Sequence, residues 1–420
     1  VDLLEFINSD LFVGTDGGFF KASNSGGTMS TTYFTDLSSG LGIKQFYKFG
    51  VSQTNPVVIT GGAQDNGSST RNDSGVWRNW LGGDGMEGFV DKNVSTKLYG
   101  TSQNGTLYKS VDGGLTYAGM NHPSGETGNW ITPFEQDPIT PNVIYAGYYS
   151  AYKTTDDGAN WTAISQSFSP YKLSHLKIAP SLNTTMYAAF NTSLYKTTTG
   201  SGTWTELTGI SGEINDIAIH PTNPNKVAVA TTDTAKVFMT TDGGTTWTAH
   251  TFDLPDFSAL ALAWDDNGND GLYLGMNYGV YYIDNSSNTW NPFSNMLPNV
   301  KISELEVNYE DNKLYTATYG RGVWSTPRFN SNTLGTPQVN TLNSIAMFPN
   351  PTNKEVNLSW NKNEKITIKI FNSLGKLLYY AKDEEINKTL KIDVSEYATG
   401  LYFVKINSTE GIITKKLMIN

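Results

Sequence analysis

The sequence predicts an all-β fold: a seven- to eight-bladed β-propeller followed by a small C-terminal β-sandwich. Three observations carry this expectation. Trp161, Trp204, Trp247 and Trp290 stand 43 residues apart. Each interval holds four short apolar runs separated by Gly, Pro, Asn and Asp, and helical periodicity is absent. Four-stranded units recurring every ~40–45 residues are the mark of propeller blades.

The register extends backwards through Tyr117 and Trp77 to the Tyr33-Phe34 pair. Most of these aromatics close one kind of turn: Ser110 to Tyr117 around Asp112, Thr154 to Trp161 around Asp156, and Thr240 to Trp247 around Asp242. Weaker copies occupy Ser23 to Thr28, Thr197 to Trp204 and Asp284 to Trp290. In such a turn the Asp accepts backbone N–H groups two or three residues on, Gly supplies positive φ, and the aromatic packs between units. Within the sixth unit, Ile214 to His220, Val227 to Ala230, Lys236 to Thr240 and Trp247 to His250 read as four strands. In the fourth, Trp130 to Phe134, Val143 to Gly147, Tyr152 to Thr154 and Trp161 to Ile164 do the same. Eight units are counted, the last, Ile302 to Thr326, without a fourth strand. Either eight blades close on themselves, or the first unit belongs to a preceding propeller.

Composition narrows the function. The 420 residues carry a net charge of −10, which repels a phosphate backbone, so nucleic acid is not an expected partner. No apolar run reaches the ~18 residues of a membrane-spanning helix. Cysteine is absent, which removes disulfides, thiolate zinc sites and cysteine nucleophiles. No nucleophile elbow or phosphate-binding loop occurs, and no cofactor is expected. His122, His175, His220 and His250 lack metal-ligand spacing, and Gln64 to Gly67 with Asp73 reads as a turn before it reads as a calcium loop; no metal is expected. The first residue is Val, with no leader before it, so the chain reads as a processed or truncated fragment.

The turns resemble the Asp-box, or BNR, repeat shared by sialidases, sortilin-type propellers and xyloglucanase-like hydrolases. Gly61 to Gly67, Gly82 to Glu87 and Ala317 to Trp324 further resemble the sortilin-like group of secreted BNR proteins of Bacteroidota. That resemblance covers residues 1–327. After a polar linker over 328–344, residues 345–420 alternate as strands and resemble the type A sorting domain of type IX secretion. The matching positions are Phe348-Pro349-Asn350-Pro351, Asp393-Val394-Ser395, Gly400 to Val404 with Tyr402, and the terminal Lys415, Lys416, Leu417, Met418 and Ile419. The resemblance implies passage through the periplasm and outer membrane by the type IX machinery, and a secreted or cell-surface location. The alternative for this tail is an ancillary glycan-binding sandwich.

Loops on one face of a propeller surround its channel. Here they bring Asp16, Asp65, Asn66, Asp84, Glu87, Trp80, Trp130, Tyr148, Tyr149, Tyr278, Tyr319 and Arg321 towards one surface. Amides and carboxylates take sugar hydroxyls and aromatic faces take a pyranose ring, so extracellular glycan or protein binding is the expected function. A sialidase needs three arginines on the substrate carboxylate, and this chain has only Arg71, Arg78, Arg321 and Arg328, the last at the start of the linker, with no Arg-Ile-Pro segment before the repeats, so a sialidase is not expected. A hydrolase of the xyloglucanase-like kind, the alternative, needs two carboxylates across the scissile bond. Thr15 to Phe19 resembles that family's catalytic turn, though shorter by one residue, which implies Asp16 as one carboxylate. Asp84, Glu87 or Asp65 would partner it by location only.

Overall fold

The computed structural model describes residues 2–23, 28–30, 32–140, 142–294, 296–329, 346–359, 365–372, 375–385, 389–408 and 411–420. The expected linker from 330 onward, Ile345, Trp360, Ser373, Leu374 and most of the turn at Ser23 to Thr28 lie outside them. Two compact units divide the chain, Val1–Asn330 and Ser331–Asn420.

In the first unit the described residues form eight antiparallel sheets in chain order, seven of four strands and a last one of three. Their inner strands are Leu3–Ile7, Phe46–Val51, Gly85–Val90, Phe134–Gln136, His175–Ile178, Ile214–Ile219, Ala259–Asp265 and Ile302–Asn308. The all-β propeller read from the 43-residue repeat is the fold observed. One strand begins later than its apolar pattern implies: in the fourth sheet Trp130 to Pro133 are loop, because Pro133 has no N–H for the ladder and turns the preceding residues away from it.

Seven sheets close a ring and the first stands outside it. Each neighbouring pair from the second sheet to the eighth shares one apolar core: Trp80 with Leu98, Tyr99 with Phe134, Tyr145 with Leu176, Leu194 with Ile217, Ala228 with Leu272, and Tyr273 with Leu305. The seventh core joins the eighth sheet back to the second through Tyr315 and Ala317 against Phe46, Phe49 and Val51. Polar bonds fasten the same seam. The Phe49 amide donates to Glu304 Oε2 at 2.7 Å, and Asn308 Nδ2 donates to the Ser52 carbonyl at 2.6 Å. No residue of the first sheet belongs to these cores, and its inner strand Leu3–Ile7 is exposed at every position.

The Asp-Gly-Gly turns clamp the outer strands. Asp242 accepts from Thr246 N at 3.0 Å and Thr246 Oγ1 at 2.6 Å, while Thr240 Oγ1 accepts from Gly244 N at 3.0 Å. The backbone N–H taken is therefore four residues on, not two or three, because the Gly243-Gly244 pair at φ 74° and 96° carries the chain round a full loop first. Asp112 makes the same contacts with Thr116, and Asp156 with Asn160; these hydrogen bonds hold both carboxyls down at about 2.

The indoles that follow reach back one blade. Trp161 Nε1 donates to Asn121 O, Trp204 Nε1 to Ile164 O and Trp290 Nε1 to His250 O, all at 2.8–2.9 Å and each bridging 40 residues. Trp247 keeps the position, but its buried indole nitrogen has no partner among the described residues. Tyr117 departs from the expected packing: it is 55% exposed and meets Tyr108 of its own sheet edge-on.

The second unit, among described residues, pairs a three-stranded sheet (Ala346–Phe348, Glu355–Ser359, Thr389–Asp393) with a four-stranded one (Leu377–Glu385, Lys365–Asn372, Gly400–Ser408, Gly411–Ile419). Val356, Leu358, Ile368, Ile370, Val404, Leu417 and Ile419 meet in its core. Asn350 fixes the last strand with both ends of its amide, donating to Lys416 O at 2.8 Å and accepting from Met418 N at 2.8 Å. Tyr402 anchors its strand by donating to Ala398 O at 2.7 Å. Lys416 is exposed and Lys415 half-buried on the strand that carries Leu417 inward.

Candidate functional site

A cleft of about 600 Å³ opens where the first sheet faces the ring. The hairpin turn Thr15 to Gly18 forms one wall, and Lys44, Gln45, Gln64 to Asn66, Asn299 and Tyr319 to Arg321 form the other. Asn66 links the walls: its Nδ2 donates to the Asp16 carbonyl at 2.8 Å. Asp16 is pinned through its backbone, so its exposed carboxylate is left to the cleft. Asp65 reaches the opposite wall on a residue at φ 56°, a conformation Asp tolerates better than most side chains.

Tyr319 closes the cleft's inner end. Its hydroxyl donates to Gln64 Oε1, its ring lies 5.8 Å from Tyr47, and Lys301 sits over it at 5.4 Å. Burial, with Tyr47 beside it, pushes its phenol up to about 12. Lys44 bonds Ser69 and Asn79, and burial pulls its ammonium down to about 8. The Arg321 guanidinium donates to the Gly320 carbonyl at 2.8 Å and otherwise faces solvent.

A second recess, of about 330 Å³, opens over the channel. Its wall comes from the ends of six blades: Tyr47 and Lys48, Asn129 to Ile131, Ser174 and His175, Glu213 to Asn215, Leu260, and Lys301 to Ser303 with Tyr319. Trp130 is 45% exposed there. Burial holds His175 neutral, down at about 4, with Nε2 against the Ile214 carbonyl at 3.1 Å. Below it the inner strands place charges in the channel. Lys48 meets Glu304 at 3.5 Å and Lys177 meets Glu135, with Glu87 and Asp216 close enough to act on both lysines. Burial and then the Glu304 charge push Glu87 well above the carboxylate range.

Of the residues picked out by sequence, the structure brings Asp16, Asp65, Asn66, Tyr319 and Arg321 to the cleft and Trp130 to the recess. The others need correction. Glu87 lies in the channel, because inner-strand alternation turns it inward. Asp84 lies outside the cleft lining; its Oδ1 accepts from Asp65 N at 2.7 Å, so it shapes the turn that presents Asp65. Trp80 is 4% exposed, with Nε1 donating to Thr60 Oγ1 at 3.0 Å and its ring against Gly100, where a Cβ would stand 2.9 Å away. Tyr148 is fully buried and donates to Gly105 O at 2.6 Å. Both fill space between blades and offer no face to a ligand. Tyr149 lies under Lys172 at 5.8 Å and Tyr278 meets Phe257 edge-on at 4.8 Å, each away from both openings. Sequence reading missed Lys44, Tyr47, Lys301 and, apart from Glu87, the channel charges. The signal was one charged residue inside most inner strands: Lys48, Glu87, Glu135, Lys177, Asp216 and Glu304.

Similarity to known proteins defines a class. Residues 346–420 match the family described as the secretion system C-terminal sorting domain. The protein is thus a β-propeller with a type IX sorting domain, delivered to the cell surface or beyond. No helix among the described residues is long and apolar enough to cross a membrane.

A xyloglucanase from Paenibacillus sp. is 28% identical over 203 residues, covering 38% of this chain and 20% of the relative. The chain therefore spans about a fifth of that relative's length. Two solved structures share the fold. YCF48 from Cyanidioschyzon merolae superimposes with a TM-score of 0.54 at 14% identity, over 68% of this chain and 96% of that one. The GH74 xyloglucanase from Xanthomonas campestris gives 0.52 at 15% identity, over 77% and 49%.

Proposed function

We propose that the protein is a secreted, sortilin-like Asp-box propeller that binds extracellular glycan in the cleft between its first sheet and its ring. The observation that carries this reading is the cleft lining. Two exposed carboxylates, four amides, one guanidinium and the Tyr319 ring share about 600 Å³, the donors and acceptors a sugar's hydroxyls require beside a face for its ring. The xyloglucanase relative supports the same class of ligand.

A second reading, glycoside hydrolysis, is favoured by one observation: Asp16 and Asp65 approach the cleft from opposite walls. An acid and a base on either side of a glycosidic bond is the arrangement hydrolysis needs. Binding and reducing-sugar release, measured on one panel of plant-type polysaccharides, separate the two. Binding without release, weakened by Asn66→Ala, is the expected outcome. Release abolished by Asp16→Asn would instead make the protein a hydrolase, and no binding to any polysaccharide would reject both.

A further inference from the structure

The cleft and the channel recess share a wall. Tyr319 lines both, the Tyr47 ring lies tilted beside it at 5.8 Å, and one continuous segment supplies Asn299 and Val300 to the cleft and Lys301, Ile302 and Ser303 to the recess. We propose that the two form one trough, in which a linear neutral polysaccharide lies across the face of the ring from Asp16 to Trp130. This rests on the glycan-binding reading of the cleft and extends it to a second, distal subsite.

Three features of the recess fit a sugar. Trp130 is 45% exposed on an ordered loop, its backbone N–H held by Asn129 Oδ1 at 2.8 Å and the loop tied by Thr132 Oγ1 donating to Asn129 O at 2.9 Å. An exposed indole face on such a loop takes the apolar side of a pyranose ring. Ser303 Oγ, shielded from solvent at the recess wall, has no hydrogen-bond partner among the described residues, and a buried hydroxyl without one calls for a guest that supplies it. The charges along the trough are mixed. Asp16, Asp65 and Glu213 stand against Lys44, Lys48, Lys301 and Arg321, so neither a polyanion nor a polycation gains a field of one sign, while an uncharged polyol meets donors and acceptors alike.

The order of the aromatics sets the length. Tyr319, which lines both openings, forms the saddle between them with Tyr47 beside it, and Trp130 lines only the recess. A disaccharide in the cleft touches the saddle at most, and only a longer chain reaches the indole. The experiment is calorimetric titration of the full chain with disaccharide and hexasaccharide pairs from the cello-, manno- and malto- series, with polygalacturonate as the charged probe.

One neutral hexasaccharide is expected to bind more tightly than its disaccharide. Trp130→Ala is expected to weaken that hexasaccharide about tenfold, the scale of one aromatic stacking contact, and to leave the disaccharide unchanged. Asn66→Ala weakens both. Trp130 is exposed, so an unchanged melting curve for Trp130→Ala verifies the fold. A hexasaccharide affinity untouched in Trp130→Ala overturns the distal subsite and spares the cleft. Tighter binding of polygalacturonate overturns the neutral-ligand class. Binding of no sugar in any series rejects the glycan-binding reading itself.

Discussion

Trp204 is 2% exposed, and its indole N–H reaches the Ile164 carbonyl at 2.9 Å, so one side chain both fills the space between two blades and satisfies an acceptor there. The backbone of Trp204 is held in turn by Gln166, whose Oε1 accepts from Trp204 N at 2.8 Å. Trp204→Ala is expected to destabilise the propeller by about 3–5 kcal/mol, since the cavity sits between two stiff sheets that cannot collapse into it. Trp204→Phe restores much of the volume but leaves the carbonyl unpaired, and falls between the two. Urea denaturation of the three proteins reads the order. A loss below about 1 kcal/mol for the Ala variant would show that the indoles are decoration and not the joints of the ring.

Inner strands carry the electrostatics of the molecule. In Ile302–Asn308, Glu304 and Glu306 alternate with Leu305 and Val307, which puts both acids on one face, and Glu306 accepts from Val51 N at 3.1 Å across the closing seam. Burial and then the neighbouring Glu304 raise Glu306 to about 8 from an ordinary 4.5. The sign follows from linkage: the folded state holds this proton more tightly than the unfolded chain, so the contribution is full below 4.5 and is lost as pH rises through about 8. Glu306→Gln keeps the neutral form and its acceptor oxygen at every pH. The stability difference between wild type and variant, measured by urea denaturation, should therefore change in the variant's favour from below pH 4.5 to above pH 8. A constant difference would mean that the carboxyl titrates in the fold as it does in the unfolded chain.

The same elements show what was legible in the sequence. The blades were, because the 43-residue spacing of Trp161, Trp204, Trp247 and Trp290 reflects one physical joint repeated. The site was legible only in part. Asp16, Asp65 and Arg321 sit at turns, where polar residues next to glycine signal a loop tip. Trp80 and Trp130 look alike in sequence, yet one is sealed against Gly100 and the other exposed, since burial of an indole depends on the neighbouring sheet. Lys301 and Tyr47 gave no local signal; only ring closure brings the second and eighth sheets together.

At the scale of the whole molecule, the first sheet differs from the other seven in what it touches and not in how it is built. Its four strands pair in the blade order, and Leu3–Ile7 carries Glu5 where other inner strands carry their charge. Yet the ring closes without it, through Glu304, Asn308 and the apolar contacts of Tyr315 with the second sheet. Fold and function should therefore separate in this part of the chain. Removing residues 1–40 is expected to leave the melting temperature of the ring within a few degrees of the intact protein, because no shared core is lost. The same deletion takes away Asp16 to Gly18 and Ser38, one whole wall of the cleft, and glycan affinity should fall at least tenfold. Thermal unfolding and calorimetric titration of the shortened chain test both halves. A ring that unravels would show that the first sheet is a structural member of the propeller, whereas a folded ring with undiminished affinity would move the binding site off the cleft and onto the channel face alone.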